Sequence, residues 1–163
     1  MWYYKDKIRA AILRYKFYSR RHYAKPFGRF LAMKLLEKDK TDFDLITWVP
    51  ISRRRKWRRG FDQVELLAQE VTEHLQIPLV DTLKKIRHTP PQSGLGDVSR
   101  RRANVLGAYR CIRPKAVRGK RILLLDDIIT TGATLSECAR VLLTAGGSEV
   151  HCAVVAATRK HKQ

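Results

Sequence analysis

The sequence has few cysteines and no long apolar segment. The three cysteines, Cys111, Cys138 and Cys152, are scattered along 163 residues and form no Cys-x-x-Cys pair. This argues against a zinc ribbon, at the N-terminus or elsewhere, and against a disulfide framework, so we expect a reduced, cytoplasmic protein. No apolar run approaches the roughly 18–20 residues that a membrane span needs. The first residues also lack the apolar core of a signal peptide.

Acidic residues are scarce as well. There are 15 Asp and Glu residues against 34 Lys and Arg, which gives a formal net charge of +19. Because 44% of the residues are hydrophobic, the chain is not expected to be intrinsically disordered. Its length suits a single domain that spans residues 1–163. The charge favours an anionic partner without identifying the anion.

The positive charge is concentrated in the first three quarters of the chain. Residues 121–163 hold five basic and four acidic side chains, so residues 1–120 hold 29 and 11 and carry a net charge of +18. A run of charge is most often a solvated surface. Two runs here adjoin glycine or turn-forming residues and one contains a tryptophan, which favours a binding surface. They are Arg53, Arg54, Arg55, Lys56, Trp57, Arg58 and Arg59, and Arg100, Arg101 and Arg102.

Alternating strand and helix patterns predict an α/β fold with a central, mostly parallel sheet that helices cover on both faces. The predicted helices are residues 5–18, 26–38, 61–75 and 133–145, of which the first two belong to a basic N-terminal part of about 40 residues. The predicted strands are residues 44–49, 77–80, 109–112, 121–126 and 150–156. Residues 53–59 are predicted as a basic loop, and the polar stretch 84–104 as a functional or disordered segment.

The most informative segment is residues 122–134 (ILLLDDIITTGAT). A buried strand there delivers two carboxylates to its carboxyl end, which is where open α/β sheets bind ligands. A turn rich in hydroxyl groups follows, and then a helix whose N-terminus suits a phosphate. Acceptors for sugar hydroxyls and donors for a phosphate thus lie one turn apart. That combination predicts a site for a phosphorylated sugar.

Two other interpretations of this segment are weaker. In the first, the segment is an ordinary strand–turn–helix in which Asp127 is a solubilising residue and Thr131 or Thr134 caps the helix. In the second, it is the acidic pocket of a response-regulator receiver. Only 37 residues follow Asp126, however, which is too few for the remaining strands and helices of a receiver domain.

Residues 124–134 resemble the phosphoribosyl-pyrophosphate (PRPP) signature of type I phosphoribosyltransferases. The chain as a whole resembles the ComF family of that superfamily, which is linked to natural competence and DNA uptake. The closer match rests on residues 12–17 (ILRYKF), 49–52 (VPIS), 59–63 (RGFDQ), 91–95 (PQSGL) and 102–105 (RANV). Two departures stand out. The Cys-rich zinc ribbon with which members often begin is not found, and Asp62 replaces the Asn of the RGFNQ pattern, which leaves the role of position 62 open.

The resemblance implies a type I phosphoribosyltransferase fold with a flexible loop over the site. It assigns Asp126 and Asp127 as the catalytic pair that hydrogen-bonds the ribose 2′- and 3′-hydroxyls of PRPP. It also implies Mg²⁺, which would bridge pyrophosphate and ribose oxygens with no direct protein ligands expected beyond these two residues. The other implied groups are Thr130, Thr131, Gly132, Ala133 and Thr134 for the 5′-phosphate, Pro50, Ile51, Ser52 and Arg53 for pyrophosphate, and Gly94, Ser99, Arg100, Arg101 and Arg102 in the flexible loop.

The resemblance implies two alternative functions. The first is a PRPP-binding protein of DNA uptake or natural transformation that contacts single-stranded DNA, with other competence proteins as partners. The second is an active phosphoribosyltransferase that acts on an unidentified nucleobase or amine and has no role on DNA. The charge favours the first, because neutralising phosphates along a strand needs many cations. Trp57 would stack on a base unless it is packed in the core. A generally basic proteome would also account for the charge, and His74 and His88 are expected on the surface.

Overall fold

The structure is a computed structural model that describes residues 2–3, 21–87 and 103–158. Its strands are β1 (Trp2–Tyr3), β2 (Leu45–Trp48), β3 (Leu83–Lys85), β4 (Tyr109–Cys111), β5 (Arg121–Ile129) and β6 (Glu149–Ala157). Its helices are α1 (Ala24–Leu36), α2 (Arg53–Arg59), α3 (Gln63–Leu75), α4 (Pro114–Val117) and α5 (Ala133–Thr144). Within these residues no helix combines the length and the apolar character needed to cross a membrane.

Strand β5 lies inside a parallel sheet with the strand order β1–β6–β5–β2. Its residue Leu125 is in register with Trp48 of β2 on one side and with Ala153 of β6 on the other. Residues 122–125 are at most 1% exposed, because this strand has neighbours on both sides and packed layers above and below it. The predicted α/β fold with a central parallel sheet is confirmed.

Two hydrophobic clusters fix the layers on either side of the sheet. On one face, Leu31 of α1 and Leu67 of α3 pack with Leu125. On the other face, Leu142 of α5 packs with Leu124 in a cluster that also includes side chains of β3 and β4. Helices α3 and α5 therefore flank β5 from opposite sides, and both begin near its carboxyl end.

Helices α1 and α3 approach each other closely at Gly28. A Cβ atom on this residue would lie 2.4 Å from Cβ of Glu70 and 3.4 Å from the carbonyl oxygen of Leu67. Side-chain carbons do not approach each other to 2.4 Å. The absence of a side chain at Gly28 is thus a condition for the observed packing of the two helices.

Most predicted elements are present with shifted ends. The helices predicted at 26–38, 61–75 and 133–145 are α1, α3 and α5, and the strands predicted at 44–49, 109–112 and 150–156 are β2, β4 and β6. Strand β5 continues three residues past its predicted end, so both acidic residues lie within it. The strand predicted at 77–80 is reduced to one bridge between Leu79 and Ile46. The helix predicted at 5–18 lies outside the described residues.

The segment after β2 is a helix and not the predicted loop. Ser52 begins α2 by accepting a hydrogen bond from the backbone N–H of Arg55, and Gly60 ends it with φ of 76°. The prediction failed because residues 53–59 have no apolar periodicity. Strand β4 pairs antiparallel with β3 and forms a second, two-stranded sheet.

Candidate functional site

The two acidic residues of β5 lie on opposite faces of the sheet, because side chains alternate along a strand. Asp126 is half-buried and lines a pocket beside the N-terminus of α5. Asp127 is only 5% exposed and its carboxylate contacts Gln63 of α3. The interpretation of Asp127 as a solubilising surface residue is therefore wrong.

The pocket lies between the end of β5 and the start of α5. Gly132 has φ of 79°, a conformation that favours glycine, and it turns the chain into the helix. The hydroxyl of Thr131 accepts the Ala133 N–H at 3.4 Å. The N-terminal N–H groups of α5 and its dipole favour an anion at this place. The lining residues are Asp126, Ile128, Ile129, Thr130, Gly132, Ala133, Thr134 and Leu135, which include four of the five predicted 5′-phosphate residues.

The predicted pyrophosphate loop, residues 50–53, lies at the same edge of the sheet as the acidic residues. Strands β2 and β5 are parallel neighbours, and the Val49 N–H donates to the carbonyl of Leu125 at 2.9 Å. The chain leaves β2 at this point and enters α2 after Ser52, which is 7% exposed. The structure thus brings this loop and the end of β5 together at one edge.

Asp62 connects this loop to α3. One carboxylate oxygen, Oδ2, accepts the Ile51 N–H at 2.9 Å, and the other, Oδ1, accepts the N–H groups of Val64 at 3.0 Å and Glu65 at 3.4 Å. Burial raises the pKa of Asp62, while the three N–H donors act in the opposite direction. Position 62, whose role the sequence left open, is the N-cap of α3 and a structural link to the residue before Ser52.

Gln63 connects helix α2 to the acidic pair. Its carbonyl oxygen accepts a hydrogen bond from the Arg59 guanidinium at 2.9 Å, and its amide nitrogen donates to Oδ2 of Asp127 at 3.4 Å. Gln63 is 4% exposed. Burial and the nearby Arg55 lower the pKa of Arg59, and Asp127 acts in the opposite direction. The last residue of the basic helix is thus joined to β5 through one side chain.

Helix α2 presents most of its basic side chains to solvent. Arg53, Arg54, Lys56 and Arg58 are exposed, while Arg55 and Arg59 are half-buried. Trp57 is 88% exposed, so the alternative in which it packs in the core is wrong. Lys56 forms an ion pair with Glu65 of α3 at 2.6 Å, which holds the helix against its neighbour. His74, at the end of α3, is exposed as predicted.

Lys85 of β3 is a candidate residue of the functional site that the sequence patterns did not indicate. Its ammonium group lies 5.1 Å from the centre of the Tyr109 ring on β4. Burial and the positive charge of Arg55 lower the pKa of Lys85 to about 8, although Asp126 acts in the opposite direction. No periodic pattern in the sequence indicates this residue, because the position of the short strand β3 is determined by its pairing with β4.

The predicted flexible-loop residues Gly94, Ser99, Arg100, Arg101 and Arg102 lie outside the described residues. The described segments on either side of them are joined to each other. Arg87 donates to the carbonyl oxygens of Asn104 at 3.0 Å and Leu106 at 2.8 Å. Glu137 of α5 accepts the Gly107 N–H at 2.8 Å, and the adjacent Arg140 guanidinium lowers its pKa.

Comparison with known proteins identifies the class. A parallel sheet whose central strand carries an acidic pair, followed by a hydroxyl-rich turn and a helix, is the arrangement of a type I phosphoribosyltransferase fold. Glutamine PRPP amidotransferase from B. subtilis has this fold with a TM-score of 0.58 at 24% identity, over 88% of this chain and 30% of that chain. The chain belongs to the phosphoribosyl transferase domain family, which matches residues 62–163.

Two curated relatives confirm the predicted resemblance to the ComF family. Competence protein F of Haemophilus influenzae is 31% identical over 153 residues, and DNA utilization protein YhgH of Escherichia coli is 33% identical over 152 residues. Each alignment covers 90% of this chain but 66% of the relative. The chain therefore spans just under two thirds of the length of these proteins.

Proposed function

We propose that this chain binds PRPP together with Mg²⁺ and acts in the uptake or use of DNA, where it contacts single-stranded DNA. One observation carries the PRPP part: the pocket at the start of α5 lies inside the segment that matches the phosphoribosyl transferase domain. The names of the two relatives, a competence protein and a DNA utilization protein, support the DNA part.

The proposed pose places the 5′-phosphate of PRPP against the first turn of α5. Backbone N–H groups there and the hydroxyl groups of Thr130 and Thr134 donate to its oxygens. Asp126, which lines the same pocket, accepts from a ribose hydroxyl. Asp127 lies on the opposite face of β5 and is bonded to Gln63 through Oδ2, so in this pose it supplies the second carboxylate over the carboxyl end of the strand. Pyrophosphate then lies toward residues 50–53, where Arg53 contributes positive charge.

The residues at this site fit a magnesium ion that arrives with its ligand. Among the described residues, no group of three or more His, Cys, Asp or Glu side chains could hold a metal ion without further ligands. Mg²⁺ is usually bound through one or two carboxylates together with phosphates and water. Asp126, which lines the pocket, would provide that limited contact, while Asp127 faces α3 on the other side of β5. When bound, Mg²⁺ would neutralise charge on the pyrophosphate.

The proposed DNA surface is helix α2. Its exposed cations are spaced along one short helix beside an exposed tryptophan, and proteins that bind single strands combine cationic side chains with aromatic stacking. A PRPP pocket alone does not require this surface, because Arg54 and Arg58 are exposed and lie beyond the residues predicted to contact pyrophosphate. A polyanion that extends past the pocket would account for them.

Membership of the phosphoribosyl transferase domain family favours a second candidate, an active transferase. In that reaction the bond between ribose C1 and pyrophosphate breaks as a bond to the acceptor nitrogen forms. Pyrophosphate leaves with the electron pair, and the proton of the acceptor nitrogen passes to the departing pyrophosphate. The chain would supply positive charge for the leaving group and exclude water from the ribose. Release of pyrophosphate in the presence of nucleobases or amines distinguishes this candidate from a binding protein.

Calorimetric titration of the full chain with PRPP and Mg²⁺ tests the pocket. We expect one site in the wild-type chain and a loss of binding of at least about tenfold when Asp126→Asn and Asp127→Asn are combined, because ribose hydroxyls lose charged acceptors. The control is Asp39→Asn, an exposed position away from this edge. Binding that survives the double substitution unchanged would place the PRPP site elsewhere. A parallel titration with an oligothymidylate tests the DNA part, which is wrong if no salt-sensitive binding is found.

A further inference from the structure

Gln63 has donor and acceptor partners that fix its orientation. The Arg59 guanidinium can only donate, so the Gln63 carbonyl oxygen must face it. The Gln63 amide nitrogen then faces Asp127, whose ionised carboxylate can only accept. A reversed amide would place two donors together on one side and two acceptors on the other. Arg59 and Asp127 together therefore fix which end of the Gln63 amide faces each of them.

The position of Gln63 in the fold keeps its side-chain amide in this orientation. It is the first residue of α3, directly after the Asp62 cap, and it is 4% exposed, so its backbone and side chain are both held. Arg59, in contrast, is half-buried at the end of a helix whose other cations are mostly in solvent. The hydrogen bonds from Arg59 through Gln63 to Asp127 thus run from the half-buried end of α2 to the buried central strand.

We propose that Gln63 is a positioning residue for Asp127 and that Arg59 makes it responsive to anions on α2. This inference rests on the proposed function, since it links the PRPP pocket to the DNA surface. An arginine and a phosphate frequently pair through two parallel N–H···O bonds, whereas the Gln63 amide oxygen accepts one bond from Arg59. A DNA phosphate that reaches Arg59 therefore draws the guanidinium away from the neutral Gln63 amide. Gln63 is then held less firmly in the orientation that donates to Asp127, and PRPP binds more weakly.

The positioning role is tested by calorimetry with PRPP and with pyrophosphate, each with Mg²⁺. We expect Arg59→Met and Gln63→Met each to weaken PRPP binding by about three- to tenfold, and the double variant to do no more than either alone, because both remove one connected unit. Pyrophosphate, which has no ribose, should bind these variants as it binds the wild type. The control is Arg29→Met, an exposed arginine on α1.

Several outcomes would overturn the positioning role. The first is that the losses of PRPP binding in the two single variants multiply in the double variant. The second is that pyrophosphate binding falls as much as PRPP binding does. The third is that Arg59→Met binds PRPP as the wild type does. Gln63 is buried, so Gln63→Met could affect folding. Arg59→Met changes a half-buried side chain and keeps the test decisive, with thermal unfolding measured alongside.

The coupling is tested by repeating the PRPP titration with a saturating oligothymidylate. We expect the oligonucleotide to weaken PRPP binding about fivefold or more in the wild-type chain, and PRPP to weaken oligonucleotide binding by the same factor. In Arg59→Met the factor should be close to one. If both ligands bind the wild type but neither affects the other, the coupling is wrong and the proposed function stands. If either ligand fails to bind, the proposed function itself fails.

Discussion

The Asp62 carboxylate accepts the backbone N–H of Ile51 at 2.9 Å across eleven residues of sequence. Since its other oxygen caps α3, this one side chain sets the distance between the loop after β2 and the start of the helix that carries Gln63. The loop and the helix are the two parts of the site that do not belong to the PRPP-type motif. Their relative position therefore depends on a residue that touches no proposed ligand.

Replacing Asp62 with Asn tests this link. An Asn side chain has one acceptor oxygen and would present an NH₂ group to a second N–H donor, so either Ile51 or the start of α3 loses its partner. We expect the free energy of unfolding to fall by about 1–3 kcal/mol, the cost of a buried unpaired group, measured by urea denaturation. Asp39→Asn, at an exposed position, should change it by less than about 0.5 kcal/mol. Equal effects of the two substitutions would contradict the role assigned to Asp62.

The apolar patterns of the sequence were sufficient to predict the central layers of the fold. The run of leucines in β5 and the apolar faces of α3 and α5 predict which residues are buried. This works because the residues that form each strand or helix also form its buried face. Helix α2 gives no such signal, since six of its seven residues are basic. Two local signals would have found it, namely Ser52 before the run and Gly60 after it.

The contacts of the site could be predicted only in part. The turn from β5 into α5 is local, so its residues lie together in the sequence and in the pocket. The bond between Gln63 and Asp127 joins residues 64 positions apart, and the pairing of Lys85 with Tyr109 depends on an antiparallel register. Side-chain pairs of this kind follow from tertiary packing, which a single sequence does not reveal.

Glu137 should make the stability of the chain depend on pH. The Arg140 guanidinium and the Gly107 N–H lower its pKa below the ordinary value of 4.5 in the folded state. Its contribution is therefore present above that value and is lost as the pH falls through the lowered pKa. We expect Glu137→Gln to destabilise the chain more at pH 7 than at pH 3, measured by urea denaturation at both. Glu73→Gln, on the exposed side of α3, should show the same small effect at both pH values.

Gly28→Ala tests the close contact of α1 with α3. In an exposed helix this change stabilises by roughly 1 kcal/mol, because alanine is the better helix former. At Gly28 the new Cβ would lie 2.4 Å from Cβ of Glu70, so the helices must separate. We expect a net loss of about 1–3 kcal/mol in the free energy of unfolding. Lys25→Ala, at an exposed position of the same helix, is the control, and a stabilising Gly28→Ala would show that the helices can move apart freely.

Trp57 should report directly on single-stranded DNA. It is 88% exposed, so a base can stack on it without displacing any packed side chain. We expect oligothymidylate to quench the Trp57 component of the fluorescence, defined by comparison with Trp57→Phe. Trp57→Ala should weaken binding by about 1–3 kcal/mol, the usual contribution of one stacked base. Unaltered binding in Trp57→Ala would exclude stacking on Trp57. A purely electrostatic contact between α2 and DNA would then be tested by the salt dependence of binding.

The salt dependence of oligonucleotide binding tests the charge of α2. Arg53, Arg54 and Arg58 are exposed, and replacing all three with Ser leaves the half-buried Arg55 and Arg59 in place. Each phosphate contact on a single strand contributes about 0.7 to the slope of log K against log salt, so the triple variant should have a slope shallower by about two. Lys25, Arg29 and Lys38, exposed on or directly after α1, provide a control with the same loss of charge. If the control triple flattens the slope as much as the α2 triple does, the effect belongs to the net charge of the chain, and α2 is not the contact surface.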